Sequence, residues 1–407
     1  MSAEKHERHA FEPKIVAYVC NWCTYLGADL AGTNRLEYPP NVRLIRLPCT
    51  GRIDFNLIVK GFEIGADAVL VSGCHPGDCH YTAGNYHARR RWMLFRPLLE
   101  TLGFDMRRIH FTWISAAEGR KFQQVITEIT EATRALGPAG YLSLPNGGKA
   151  PAWTPPPPAL KPEPSGEEQM RSAAAQLLSS GAVSVVIGYD SHGAPSFARR
   201  AEDAERLCFN QQCTANLAVY LKRKEIRALG RIGLVAAPAI SRALNVLETE
   251  SQIDREQIVE IPVGQSAGDP DFAALDSFLR LAPEERMAWW MAEFERCVRC
   301  YACRAVCPMC YCERCIAEKN RPQAISPSAT LEGNFAWHIA RAFHQAGRCV
   351  GCGECTRACP AGINLSLLNA TLARAAMQQF HYRAGAERGA EPLIGRYSLN
   401  DKEDFIR

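Results

Sequence analysis

The sequence lacks any apolar run approaching the roughly 18 residues that a membrane-spanning helix needs. Its first residues, "MSAEKHERHAFEPK", also lack the apolar core of a signal peptide. Lys and Arg form no long basic block, and the formal net charge is +4 over 407 residues, so no nucleic-acid footprint is indicated. These absences predict a soluble, cytoplasmic protein with no membrane span and no nucleic-acid partner.

Nucleotide-binding motifs are missing as well. No G-x-G-x-x-G follows a predicted strand and no G-x-x-x-x-G-K-[ST] occurs, which leaves no dinucleotide fingerprint and no P-loop. No nucleophile is paired with a base, so we expect no catalytic residue here and assign bond chemistry to partner proteins. Cysteine, in contrast, is abundant. Because disulfides are disfavoured in a reducing compartment, 18 cysteines indicate metal ligation or redox chemistry.

The chain is too long for one hydrophobic core, and a stretch with four consecutive prolines marks a spacer that forms neither helix nor sheet. The expected fold class is α/β, with two doubly wound domains of parallel-sheet type followed by a dicluster bacterial ferredoxin-like α+β domain. The predicted boundaries are a first domain at 1–145, a Pro-rich linker at 146–166, a middle domain at 167–285, a ferredoxin-like domain at 286–385 and a tail at 386–407. The polar tail is expected to be loose or to dock elsewhere.

In the first domain, short β-branched runs alternate with helical patterns, which is typical of a parallel sheet. The predicted strands are "KIVAYV" (14–19), "VRLIRL" (42–47), "AVLVSG" (68–73) and "RIHFTWI" (108–114). Cysteines follow the first three strands at the carboxyl edge where α/β sheets bind ligands. They are Cys20, Cys23, Cys49, Cys74 and Cys79.

Convergence of these five cysteines predicts a metal site, against the alternative that they are small buried hydrophobic residues. Four thiolates suffice for a 2Fe-2S cluster, and one of the five is then spare or exchangeable. His75 and His80 flank two of the cysteines. Either could replace a thiolate, but we favour hydrogen bonding to a cluster sulfur because the thiolates are already sufficient.

The middle domain again alternates strands and helices, including a predicted helix over "CTANLAVYLKRKEIRALG" (213–230). Cys208 lies just ahead of this segment and Cys213 is its first residue, in "RLCFNQQCTANL". Taken alone, each is better explained by packing than by metal ligation.

The most specific motif occurs twice. Residues 297–308, "CVRCYACRAVCP", and residues 349–360, "CVGCGECTRACP", both match the bacterial ferredoxin run C-x2-C-x2-C-x3-C-P. In that run three cysteines ligate one cubane and the fourth ligates the other. One 4Fe-4S cluster is therefore predicted on Cys297, Cys300, Cys303 and Cys359, and a second on Cys349, Cys352, Cys355 and Cys307. Structural zinc is the competing interpretation, but zinc sites use two separated pairs rather than this spacing.

Three further cysteines, Cys310, Cys312 and Cys315, directly follow the first run and have no fourth ligand beside them. We hypothesise a third 4Fe-4S cluster completed by Cys213, which would fasten the middle domain to the ferredoxin-like domain. The alternative is that these thiols are reduced and fill core space.

The first domain resembles the delta subunit of methyl-viologen-reducing hydrogenase over about residues 13–140. The resemblance is carried by "CNWCTYLGADLAG", "LPCTGRID" and "GADAVLVSGCHPGDCHYTAGNYHARRR". It implies a 2Fe-2S cluster and electron transfer between an oxidoreductase module and the flavin subunit of heterodisulfide reductase. Which four of the five cysteines hold that cluster is left open by the resemblance.

Residues 167–380 are similar to iron-sulfur subunits related to the beta subunit of deazaflavin-coenzyme hydrogenases and formate dehydrogenases. "CFNQQCTANLAVYL" and the two ferredoxin runs carry this similarity. Relatives usually have Lys-Gly-Cys-Asp after the strand "IGLV", where this chain has Ala236, Ala237, Pro238 and Ala239. The departure argues against an independent flavin or deazaflavin reaction and makes FAD an unexpected cofactor.

The sequence thus predicts an iron-sulfur electron-transfer subunit of a cytoplasmic, anaerobic oxidoreductase complex. Its expected partners are a heterodisulfide-reductase-like flavoprotein subunit, on one side, and a donor dehydrogenase or hydrogenase subunit on the other. Two alternatives stay open: a reductase subunit with a flavin or deazaflavin site in the middle domain, and a zinc-stabilised scaffold.

Overall fold

The computed structural model describes residues 11–140, 151–156, 166–264, 271–319, 321, 323 and 325–406. They divide into two compact units. The first combines the described residues before 150 with those from Tyr397 onward, and the second contains the described residues from 151 to Arg396. The first unit is therefore built from both ends of the described chain.

Strands and helices alternate along the first unit. In chain order they are β1 (Ile15–Cys20), α1 (Thr24–Thr33), β2 (Val42–Leu47), α2 (Asn56–Glu63), β3 (Ala68–Gly73), α3 (Gly84–Leu102), β4 (Ile109–Trp113) and α4 (Gly119–Leu136). The strands form a parallel sheet in the order β2-β1-β3-β4. Every residue of β1, β3 and β4 is buried, whereas the edge strand β2 is only partly covered. The predicted parallel α/β fold of this region is confirmed.

The last residues of the described chain dock on the first unit. Ile406 pairs in parallel with Phe111, which lies in the edge strand β4. The Arg90 guanidinium donates two hydrogen bonds to the Asp401 carboxylate, at 2.7 and 2.8 Å, with both side chains almost fully buried. Phe405 packs on Trp92 and Phe111. The end of the predicted tail is thus part of this unit's packing.

The second unit begins with a smaller sheet. Its elements are α5 (Glu167–Ser179), β5 (Val185–Tyr189), β6 (Pro195–Ala198), α6 (Lys224–Arg227), β7 (Ile232–Ala236), α7 (Pro238–Thr249) and β8 (Ile258–Pro262). The order is β6-β5-β7-β8, with β6 antiparallel to β5 and the other pairs parallel. The sheet is mainly parallel, as predicted, with an antiparallel edge strand that sequence reasoning did not predict.

The helix predicted over 213–230 is wrong. The structure has a 3₁₀ turn at Leu217–Lys222 and the single helical turn α6. The Asn216 side chain accepts a hydrogen bond from the Ala218 amide and caps the turn, a local bond that competes with a regular helix. Tertiary contacts at the Lys222 end, described below, also override the helical propensity of this segment.

The cysteine-rich part of the second unit consists of loops and helices in the described residues. The helices are α8 (Ala273–Leu279), α9 (Pro283–Glu295), α10 (Ala302–Ala305), α11 (Leu331–His344), α12 (Glu354–Arg357) and α13 (Ser366–Phe380). Trp153, from the predicted linker, packs on Phe278 and Trp289. Of that linker, residues 146–150 and 157–165 lie outside the described residues.

We expect the fold of the first unit to depend on the buried Arg90–Asp401 pair. Replacing Asp401 with Ala leaves a buried guanidinium without its carboxylate, which costs about 3–5 kcal/mol of stability. Urea unfolding of the full chain, followed by hydrogen exchange of α3 and β4, measures the loss. The exposed Asp404 on the same segment provides the control, Asp404→Ala. Equal unfolding midpoints for the two variants would contradict the role of the pair.

Candidate metal centres

The first candidate centre lies at the carboxyl edge of the parallel sheet. Cys20 ends β1, Cys23 directly precedes α1, Cys49 follows β2, and Cys74 and Cys79 lie between β3 and α3. In the order β2-β1-β3-β4, the chain reverses direction across the sheet between β1 and β3, and ligands bind at such a switch point. The sheet topology therefore explains why these distant cysteines meet.

All five side chains form one buried cluster. The Cys23 and Cys74 sulfurs are 2.7 Å apart, the Cys20 and Cys74 sulfurs 3.8 Å, and the Cys49 and Cys79 sulfurs 3.7 Å. Among the described residues, Cys20, Cys23 and Cys74 have ligand atoms that all lie within 4.8 Å of one another, as a metal-binding group requires. A thiolate set of this kind suits an iron-sulfur cluster.

Glycine provides the space that the sulfurs occupy. A Cβ atom at Gly84, the first residue of α3, would lie 2.3 Å from the Cys49 sulfur and 3.2 Å from the Cys79 sulfur. Such contacts are too short for any side chain, so a residue other than glycine has to displace the cysteines. Gly84 was not predicted as a site residue because its role appears only when strand ends from different parts of the chain meet.

Contacts between the thiols and their burial shift the pKa values of several of these cysteines. Hydrogen bonds from Cys23 and Cys49 lower the pKa of Cys20. The contact with Cys20, together with burial, raises the pKa of Cys23 to about 12. Hydrogen bonding to Cys20, followed by burial, also raises the pKa of Cys49. Burial and mutual contact therefore oppose deprotonation of Cys23 and Cys49, and multivalent metal charge would stabilise four thiolates.

The two histidines predicted near this site take different positions. The His75 Nε2 atom lies 2.7 Å from a carboxylate oxygen of Glu118, which also accepts a hydrogen bond from the Ser115 amide. His80 stacks on Trp22 with ring centroids 3.9 Å apart. Hydrogen bonding from either histidine to a cluster sulfur stays a prediction.

The ferredoxin-type cysteines interleave in the second unit. Cys359, from the second run, lies close enough to Cys297 and Cys303 for its charge to raise their pKa, although burial has the larger effect. In the same way, after burial, the charge of Cys307 raises the pKa of Cys349 and Cys352. The last cysteine of each run thus lies near cysteines of the other run. The assignment of four ligands to each cluster, with Cys300 in the first set, stays a prediction.

Cys310 lies beside Cys307 in the structure. A hydrogen bond between the two thiols lowers the pKa of Cys307 and raises that of Cys310. The Gln345 amide contacts both, with its Nε2 atom 3.4 Å from the Cys310 sulfur and its Oε1 atom 3.9 Å from the Cys307 sulfur. The Lys222 ammonium donates to the carbonyls of the same two cysteines, at 3.2 and 2.9 Å.

The other cysteines of the third-cluster hypothesis have separate surroundings. The Cys213 sulfur contacts the Cys208 carbonyl and Asn210. The Cys312 carbonyl accepts a hydrogen bond from Arg304 at 2.9 Å, and the Cys315 amide donates to Glu318 at 3.2 Å. Cys312 is exposed. Ligation of a third cluster by these residues stays a prediction.

Polar side chains around the second run point to a bound anionic group. The Asn369 amide donates to the Cys355 sulfur at 3.7 Å, and the buried amide nitrogen of Asn216 has no hydrogen-bond partner among the described residues. Arg341 is 5 % exposed, and its Nε atom has no hydrogen-bond partner among the described residues. Buried donors and a buried cation aimed at thiols fit an iron-sulfur cluster, whose sulfurs accept hydrogen bonds and whose thiolates carry negative charge. Sequence reasoning missed these donors; an arginine within the apolar run "FAWHIARAF" was the one available signal.

Comparison with known proteins assigns the first unit. Residues 15–137 match the family model described as methyl-viologen-reducing hydrogenase, delta subunit. Over 128 residues, the chain is 52% identical to the vhc iron-sulfur subunit of F420-non-reducing hydrogenase from Methanococcus voltae, covering 89% of that relative and 31% of this chain. The chain belongs to the methyl-viologen-reducing hydrogenase delta subunit family. The predicted resemblance of the first domain is thereby confirmed.

The same kind of domain also occurs inside a larger protein. The chain is 42% identical over 128 residues to part of one subunit of the ferredoxin:CoB-CoM heterodisulfide reductase from Methanosarcina mazei, covering 16% of that relative and 31% of this chain. Residues 293–363 match the 4Fe-4S dicluster domain, so the second unit contains a ferredoxin-like 4Fe-4S region. The likeness of residues 167–380 to deazaflavin-linked subunits stays a prediction.

No helix in the described ranges is both long and apolar enough to cross a membrane.

Replacing Gly84 with Ala should abolish the first metal centre, because the added methyl group meets the Cys49 sulfur. We expect the variant to lose about two irons per chain if the centre is a 2Fe-2S cluster. Iron analysis and absorbance of anaerobically purified protein give the measurement. Gly32→Ala, in the same unit, is the matched control because its Cβ meets nothing within 4 Å. Unchanged iron in Gly84→Ala would contradict the role of Gly84 in this centre.

Proposed function

We propose that this chain is an iron-sulfur electron-transfer subunit. It relays electrons between a donor dehydrogenase or hydrogenase and a heterodisulfide-reductase-like flavoprotein. The observation that carries the proposal is the joining of a hydrogenase-delta domain, with five converging cysteines, to a 4Fe-4S dicluster domain in one chain. Relatives of the first domain are hydrogenase iron-sulfur subunits and a segment of a heterodisulfide reductase, proteins that belong to the two sides of such a transfer.

In this proposal, four of the five cysteines of the first unit hold a 2Fe-2S cluster. The crosswise proximity of Cys359 and Cys307 to the opposite runs supports two 4Fe-4S clusters. One takes Cys297, Cys300, Cys303 and Cys359, and the other takes Cys349, Cys352, Cys355 and Cys307. An iron-sulfur cluster, when bound, accepts and releases single electrons.

The protein's own residues hold the thiolates, exclude water and place hydrogen-bond donors on the sulfurs. Burial of Cys74 and Cys303 keeps the two kinds of centre away from solvent, while Asn369 supplies a donor at the second run. These are the protein's means of setting a reduction potential. Bond-making chemistry belongs to the partners.

Metal and sulfide analysis of anaerobically purified full-length protein, combined with electron paramagnetic resonance, tests the proposal. We expect about ten irons and ten acid-labile sulfides per chain, with binuclear and cubane signals after reduction. Zinc without labile sulfide would establish a scaffold instead. A bound flavin that is reduced by a nicotinamide or deazaflavin donor would establish a reductase subunit.

A third cubane on Cys310, Cys312, Cys315 and Cys213 raises the expected iron count to about fourteen. Replacing Cys213 with Ser should then remove about four irons, because one ligand is lost. Cys208→Ser is the matched control, since Cys208 lies beside Cys213 and has no ligand role in the proposal. Identical iron counts in wild type and Cys213→Ser would remove the third cluster from the account and leave the other three in place.

A further inference from the structure

Helix α11 places a buried arginine between the two ferredoxin-type runs. The helix lies in the segment that joins them, and Arg341 sits among apolar side chains with 5 % of its surface exposed. A buried guanidinium is costly unless an anion accompanies it. The anions that act on Arg341 are thiolates rather than carboxylates.

The guanidinium contacts the first run directly and acts on the second through its charge. Its Nη2 atom donates to the carbonyl of Cys303, in the first run, at 2.9 Å. Burial raises the pKa of Cys355, in the second run, and the charge of Arg341 opposes that effect. Burial alone would lower the pKa of Arg341, but the charges of Cys355, Cys310, Cys307 and Cys303 outweigh burial and raise it. One cation therefore faces ligands assigned to both cubanes.

A positive charge in this position favours reduction. Adding an electron makes a cluster more negative, and a fixed cation in a poorly solvated region stabilises the added charge more than water-screened charges do. The neighbouring residue on the same helix face, His338, adds no charge, because burial lowers its pKa to about 3. Arg299, also buried, donates to the carbonyls of Gly333 and Ser326. Arg341 is thus a buried cation that contacts a cysteine of the first run and acts through its charge on cysteines of both runs.

We propose that Arg341 is a positioning residue that raises the reduction potentials of both 4Fe-4S clusters together. The inference rests on the proposed function, because it requires both clusters. It adds that one side chain shifts the potentials of both clusters in the same direction.

Redox titration of the full chain, followed by electron paramagnetic resonance, tests this role. In Arg341→Gln, which keeps amide donors but no charge, both cubane potentials should fall. At a fixed solution potential, the ratio of reduced to oxidised cluster should drop at least tenfold for each of the two cubanes. That change corresponds to a fall of about 59 mV in the reduction potential of a one-electron couple. Arg341→Lys keeps the charge and should retain most of the wild-type potential. Arg388→Met, which removes an exposed arginine of the same unit, is the control and should leave both potentials unchanged.

The outcomes separate the inference from the proposed function. Wild-type protein without cubane signals overturns the proposed function, whatever the variants do. Cubane signals with unchanged potentials in Arg341→Gln overturn the inference alone, as does a fall confined to one cluster. If Arg341→Gln does not assemble its clusters, Arg341→Lys gives the decisive result. Wild-type potentials in Arg341→Lys support the role of the positive charge. Loss of the clusters in Arg341→Lys shows a purely structural role for Arg341 and overturns the inference.

Discussion

Thiolate charge held away from water is the constraint on which the structure depends. In the first unit five cysteine side chains are buried together, and in the second unit a buried arginine interacts with the charges of cysteines from two separate runs. Neither arrangement is stable as a simple apolar core, because deprotonated thiols repel and a lone guanidinium is expensive to bury. In the proposed function, metal charge would resolve the first problem and cluster charge would resolve the second.

The rest of the fold positions the residues that form these centres. A parallel sheet brings three strand ends to one edge, and Gly84 leaves room there for sulfur. In the second unit, the segment ending at Lys222 is not a regular helix, and the Lys222 ammonium donates to the carbonyls of Cys307 and Cys310. The chain end returns to the first unit, where its carboxylates neutralise buried arginines on α3. Packing, charge and metal site are therefore coupled.

Sequence patterns predicted much of this. The strands at 42–47 and 68–73 lie where the β-branched runs placed them, because buried strands are apolar and bounded by turns. The predicted parallel sheet placed Cys20, Cys49 and Cys74 at the same edge from the sequence alone. Residues 213–230 have helical propensity, but long-range contacts determine their structure. A local sequence pattern does not show such contacts. Arg341 was missed for the same reason: its neighbours Cys303 and Cys355 are far from it in sequence.

In the proposed function, electrons pass through this chain by way of clusters in both units. Rapid mixing of the fully reduced chain with an oxidised heterodisulfide-reductase-type flavoprotein, followed by freeze-quench electron paramagnetic resonance, measures this transfer. Binuclear and cubane signals should both decay as the flavin becomes reduced. Cluster signals that persist while the flavoprotein is bound and oxidised would contradict it.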